Sequence, residues 1–147
     1  MCIRDSSSAT AALPACVAFY KQPAPVAIVL INATVFSVLY HESEEEKYDV
    51  MDQIWANLSL LLIILGFVVM LRTRGVDRRV VFTLATAVLA GVMYALQGYR
   101  EPGPSTEKYE LYHSLWHIFS ALAATSVVAD DLDWGLVMRP AMSSLSK

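Results

Sequence analysis

The chain has 147 residues, of which 56% are hydrophobic and 17% charged, and its mean hydropathy is +0.46. Its net charge of −3 at pH 7 offers no basic surface to a nucleic-acid partner. Because the charged residues form short blocks between long apolar runs, the composition indicates an integral membrane protein, not a water-soluble domain. Two cysteines are too few for a disulfide framework or a metal knuckle, and Cys16, within an apolar run, is expected to be a packing residue.

Residues 1–6, Met-Cys-Ile-Arg-Asp-Ser, resemble a translated sequencing-adapter remnant and are predicted to be a non-native leader. A signal peptide is the alternative, but its positively charged region would be weak and Pro14 interrupts the apolar stretch that follows. The folded part is therefore expected to begin near Ser7.

Five apolar segments follow, and each is predicted to be helical because the lipid interior gives backbone groups no other partners. They cover residues 7–20, 24–40, 50–71, 80–98 and 110–129. The first segment is shorter than the roughly 17–25 residues that a crossing needs. The sequence predicts an all-α, multi-pass transmembrane bundle in one domain, residues 7–129, followed by a tail at 130–147.

The segments that join these spans alternate in charge. The segment 72–79 carries four arginines, whereas residues 41–48 are mainly acidic and residues 100–108 carry two glutamates beside one arginine and one lysine. The positive-inside rule places the arginines of segment 72–79 and the C-terminal tail in the cytoplasm, and the other two segments toward the lumen or exterior.

Five polar side chains are predicted to meet at the acidic side of the membrane. Ser37 and His41 share one face at the end of the second span, and Asp52 lies about one turn into the third. His113 and His117 are also four residues apart and begin the last span. Because successive spans alternate in direction, these residues reach one leaflet.

Three neutral imidazoles and a water molecule form the coordination set of a catalytic zinc site. Asp52 would accept a proton there or orient a ligand, and Ser37 would hydrogen-bond the water or a substrate oxygen. Each residue also has a plainer interpretation. The histidines can pack at the interface, Ser37 can bond its own helix backbone, and Asp52 can complement the helix dipole. The convergence of all three histidines favours the metal site.

The pattern Ser37-x3-His41, then Asp52, then His113-x3-His117 resembles the CREST superfamily of seven-helix membrane proteins. That superfamily includes alkaline ceramidases and the progestin and adipoQ receptors. Residues 36–41, 52–59 and 112–119 are most similar to the transmembrane-protein-8/myomaker family. The resemblance implies zinc on the three histidines, with Ser37 and Asp52 beside the water. It also implies hydrolysis of an acyl ester or amide in a membrane lipid, such as a GPI lipid or ceramide.

Five predicted spans are two fewer than the family core, so the resemblance implies an incomplete or shortened member that lacks the fourth and fifth helices. Loss of a pair preserves the alternation that brings the ligands to one leaflet. Two other functions remain open. One is a non-enzymatic protein of the receptor or myomaker type with a structural zinc site. The other is a small transport or scaffold bundle in which the histidines pack or relay protons.

Overall fold

The computed structural model describes residues 10–43, 46–97 and 106–132. Within these ranges the chain is all-helical and has no strand. The helices are α1 (Ala12–Lys21), α2 (Ala24–Ser43), α3 (Glu46–Arg74), α4 (Arg78–Gln97) and α5 (Thr106–Val128). The all-α helix-bundle prediction is confirmed. The predicted leader 1–6 and most of the predicted tail, 133–147, lie outside the described residues.

The first helix is short and packs through small residues. With 10 residues, α1 extends about 15 Å, which is half of the roughly 30 Å hydrocarbon layer. It contributes Ala15 and Ala18 to a buried cluster that also contains Leu30 of α2 and Val128 of α5. Cys16 is exposed, so its predicted packing role is wrong, because its alanine neighbours occupy the contact face.

Three helices are long and apolar enough to cross a membrane: α2, α3 over Lys47–Arg74, and α4 over Arg78–Leu96. Much of their apolar surface is uncovered, as in Leu60 with 56% and Val88 with 57% of the side chain exposed. Such surfaces are suited to contact with lipid, because soluble monomers rarely expose large apolar patches. These helices support the predicted spans 24–40, 50–71 and 80–98.

The last helix, α5, is more polar and lies against three others, α1, α3 and α4. Two histidines and several hydroxyl residues reduce its hydropathy. One of those hydroxyls, on Ser126, forms a 2.7 Å hydrogen bond with the Thr83 hydroxyl of α4. Polar residues on an inner helix can pair with other helices, which is where membrane bundles place them. The membrane crossings of residues 7–20 and 110–129 stay predictions.

The turn between α3 and α4 is fixed by its sequence. Gly75 has a positive φ of 68°, which residues with a side chain rarely adopt, and its N–H donates to the carbonyl of Leu71 at the end of α3. Asp77 then caps α4, since its carboxylate accepts the backbone N–H of Val80 at 2.8 Å. The chain therefore reverses direction within three residues.

Contacts around Asp130 place both short turns and the end of α5 at one end of the bundle, here called the arginine end. Gln22, between α1 and α2, donates side-chain hydrogen bonds to the carbonyls of Val128 and Asp130. Arg74 and Arg79 bind the Asp130 carboxylate from either side of the α3–α4 turn. The end of α2 and the starts of α3 and α5 consequently lie at the opposite end.

Candidate metal centre

At this opposite end, here called the histidine end, three imidazoles from two helices come together. His41 lies in the last turn of α2, and His113 and His117 lie one turn apart on α5. One ring nitrogen of each histidine lies within 4.8 Å of those of the other two. The Nε2 atoms of His113 and His117 are 3.1 Å apart.

The spacing of these nitrogens fits a shared metal ion. Two nitrogens that each bind zinc at about 2.0–2.1 Å in tetrahedral geometry are roughly 3.3 Å apart, close to the 3.1 Å between His113 and His117. The ring of His41 lies with its centroid 5.3 Å from that of His113 and 5.6 Å from that of His117. One nitrogen of His41 lies within 4.8 Å of the ligand atoms of the other two histidines, so the triad can hold a metal ion.

Aromatic side chains surround the imidazoles. Tyr109, one turn before His113, stacks on its ring at a centroid distance of 5.2 Å and an angle of 16°. Trp116 contacts the rings of both α5 histidines, at 5.2 and 4.6 Å, and Tyr94 of α4 packs against Trp116 at 5.4 Å. His113 is only 8% exposed. These contacts restrict ring rotation and keep solvent from His113.

Asp52 and Ser37 lie beside the triad and face each other between α3 and α2. Both the Ser37 hydroxyl and His41 are close enough to the Asp52 carboxylate to interact with it. Ser37 is buried and Asp52 partly buried. The side chain of Ser37 thus lies beside a carboxylate on another helix.

Aromatic residues on three helices accompany the predicted five: Trp55 on α3, Tyr94 on α4, and Tyr109 and Trp116 on α5. Tyr109 was detectable, because it precedes His113 by four residues and so shares its face. The contact between Tyr94 and Trp116 depends on how α4 packs on α5, so it could not be predicted from the sequence. Trp55, three residues after Asp52, has a buried indole nitrogen without a hydrogen-bond partner in the described part of the chain. Its N–H is available to an acceptor on a ligand.

The five motif residues therefore lie together, as their positions on alternating helices predicted, while their chemical roles stay predictions. No protein-family model matches this chain, and no curated protein or solved structure is significantly similar to it.

Proposed function

We propose that the protein is a zinc-dependent lipid hydrolase that cleaves an acyl ester or amide bond within the membrane. The observation that carries the proposal is the convergence of three imidazoles with a carboxylate, Asp52, next to His41. The motif's resemblance to the CREST superfamily supports it and favours a GPI lipid or a ceramide-like substrate.

The donor set favours zinc. Imidazole is a ligand that zinc prefers, and three protein ligands leave one of its four positions open, as in catalytic sites. Zinc held there would supply Lewis acidity and make water a nucleophile near neutral pH. The catalytic centre would then consist of the three histidines and the carboxylate: His41, His113, His117 and Asp52.

The remaining chemistry belongs to the chain. Asp52 would take up a proton at its carboxylate as the acyl carbonyl is attacked and return it to the leaving oxygen or nitrogen. Ser37, by donating to that carboxylate, would fix which oxygen faces the histidines. Tyr109 and Trp116 would hold the imidazole rings in place and keep bulk water away from His113.

The location suits a lipid substrate. The histidine end terminates helices whose outer surfaces are apolar, such as Leu39 with 37% and Ile54 with 48% of the side chain exposed. The acyl bonds of a membrane lipid lie just beneath its headgroup, near the ends of spanning helices. A lipid could therefore present its ester or amide to the histidines while its chains remain in the bilayer. We place this end toward the lumen or exterior, because the arginines favour the cytoplasm for the other end.

Substitution of Asp52 separates catalysis from metal binding. In purified, zinc-loaded protein given a panel of GPI-lipid, ceramide and phospholipid substrates, we expect Asp52→Asn to keep the metal. It should lower product release by about 10²–10⁴-fold, the usual contribution of a general acid–base group. Asp49→Asn is the matched control, since Asp49 lies one turn earlier and its one described hydrogen bond is from Gln53 at 3.0 Å. Full turnover by Asp52→Asn would rule out its proposed role.

A structural zinc site in a non-enzymatic membrane protein is the second candidate. The ring contacts of Tyr109 and Trp116 favour it, because aromatic rings packed on metal ligands also suit a closed site. It predicts bound zinc, no turnover of any lipid in the panel, and a melting temperature that collapses on chelation. Detection of product with wild-type protein, lost in His113→Ala, would exclude it.

A further inference from the structure

A second feature with ligand-binding chemistry lies at the arginine end, opposite the histidines. An open groove of about 420 Å³ runs between the start of α4 and the end of α5. It is lined by Arg78, Arg79, Phe82, Leu122, Thr125, Ser126 and Ala129. None of these residues belongs to the histidine end.

The rim of the groove carries two arginines, of which only Arg79 is paired with a carboxylate among the described residues. Arg78 is exposed and has no ion-pair partner among the described residues. Arg79 reaches Asp130 with Nη1 at 3.1 Å, and its other guanidinium N–H groups have no partner in the part of the chain that the structure describes. Asp130 is already bound by Arg74 through Nε at 2.7 Å. Asp77 caps α4 and lies near Arg74, and Asp131 lies near Lys21, so neither carboxylate forms a described ion pair with Arg78 or Arg79.

The wall of the groove is apolar and continuous with the lipid-facing side of α4. Phe82 lies one turn below Arg78 and is 49% exposed, and Leu122 of α5 and Ala129, just after that helix, complete the wall. The groove thus has a cationic rim above an apolar wall, and it lies at the end of a helix long enough to cross the membrane. This arrangement complements a phospholipid, whose phosphate would lie at the rim and whose acyl chain would lie along the wall.

From these features we propose that the groove binds an anionic phospholipid, with its phosphate on Arg78 and Arg79 and an acyl chain along Phe82. The openness of the groove favours a lipid over a soluble anion. Exposed guanidinium groups hold a free anion weakly in water, where charges are screened over about 8 Å. A lipid is confined beside the groove at high local concentration, so weak headgroup contacts suffice.

The test uses the full chain in nanodiscs of phosphatidylcholine with increasing phosphatidylglycerol, and native mass spectrometry to count retained lipids. We expect phosphatidylglycerol to be retained in preference to phosphatidylcholine. Arg78→Gln should weaken that retention about fivefold, the usual effect of one arginine near an anionic surface. Arg78→Lys should keep most of it. Arg72→Gln is the matched control, because Arg72 is exposed at the same end of the bundle but does not line the groove.

Three outcomes would overturn the proposal. One is equal retention of the two lipids. The second is an equal loss in Arg78→Gln and Arg72→Gln, which would reduce the effect to general surface charge. The third is competition by millimolar inorganic phosphate, which would assign the groove to a soluble anion instead of a lipid. If Arg78→Gln has the same melting temperature as wild type, its reduced lipid retention does not result from unfolding. Zinc content should be unchanged in every variant, so this test is independent of the proposed hydrolase.

Discussion

Asp130 is the residue that joins the arginine end together. Its side chain is 4% exposed and accepts hydrogen bonds from Arg74 and Arg79, while its backbone carbonyl accepts one from Gln22. The hydrogen bonds and charge of Arg74, with a smaller contribution from Arg79, lower the pKa of Asp130 below its usual value, although burial acts in the opposite direction. Asp130 thus connects the end of α5 to the α1–α2 turn through its backbone carbonyl, and to Arg74 of α3 and Arg79 of α4 through its carboxylate.

The ion pair between Asp130 and Arg74 predicts how the free energy of unfolding depends on pH. Because the pKa of Asp130 is lower in the folded state, its stabilisation is complete above the unfolded pKa of about 4. It is lost as the pH falls from there through the folded pKa. At pH 7, Asp130→Asn should lower the free energy of unfolding by about 1–3 kcal/mol, and the variant's stability should change less than that of wild type below pH 4.

Thermal unfolding in detergent between pH 3 and pH 7 measures both effects. Asp131→Asn is the control, because the Asp131 side chain is 93% exposed and its only described ion pair, with Lys21, is long at 3.8 Å. Identical acid destabilisation of wild type and Asp130→Asn would contradict the assignment.

For individual residues, the sequence predicted best the positions that depend only on spacing along one helix. The spacing of Ser37 and His41, and of His113 and His117, defines shared helix faces, and the alternation of spans does the rest. The contacts of Asp130 could not be predicted, because the sequence assigned it to a polar tail. Its burial exists only once α1, α3 and α4 surround the end of α5.

Among the helices, α5 is the element on which both ends depend. It carries two of the three histidines, contributes to the groove and packs against α1, α3 and α4. In the last turn of α5, the hydroxyl of Ser126 forms a 2.7 Å hydrogen bond with the hydroxyl of Thr83 on α4. Such bonds replace part of the hydrophobic driving force that lipid removes.

Two isosteric substitutions isolate that contact. Thr83→Val removes the interhelical bond and should lower the free energy of unfolding by about 0.6 kcal/mol more than Thr86→Val, the average for interhelical bonds in a membrane bundle. Thr86 is a matched control because it is also buried and its hydroxyl bonds only the carbonyls of Phe82 and Thr83 in its own helix. Chemical unfolding in mixed micelles gives the difference, and equal losses would mean that the Ser126 contact contributes nothing.

The helices extend beyond the predicted spans. The span predicted at 50–71 belongs to a helix that covers Glu46–Arg74, and the one predicted at 110–129 lies in a helix that begins at Thr106. Apolar runs mark only the part that suits lipid, whereas a helix continues into the polar interface until a residue such as Gly75 ends it.

At the scale of the whole molecule, the bundle has two chemically different ends, one with histidines and one with arginines. Positive charge is expected on the cytoplasmic side, so the two ends should lie on opposite sides of the membrane. The sequence could predict this polarity from charge alone, but not the packing of α5 inside the bundle.

Cysteine labelling tests the arrangement. With Cys2 and Cys16 replaced by serine, Val76→Cys, at a position 80% exposed at the arginine end, should react with an impermeant maleimide only after the cell is permeabilised. Lys108→Cys, at an exposed position in the first turn of α5, should react in intact cells or from the lumenal side of sealed vesicles. Reaction of both positions from the same side would refute the opposite placement of the two ends.

The central claim is that His41, His113 and His117 hold one zinc ion, and metal analysis of the purified chain tests it most directly. Wild-type protein prepared without chelator should contain about one zinc per chain. Loss of a ligand in His117→Ala should weaken zinc binding by at least about 100-fold, since even residues that only orient a metal ligand contribute 10–100-fold. Leu111→Ala, which truncates a 57% exposed side chain of the same helix, should retain the metal. A wild-type chain without zinc, or His117→Ala with undiminished zinc, would contradict the account.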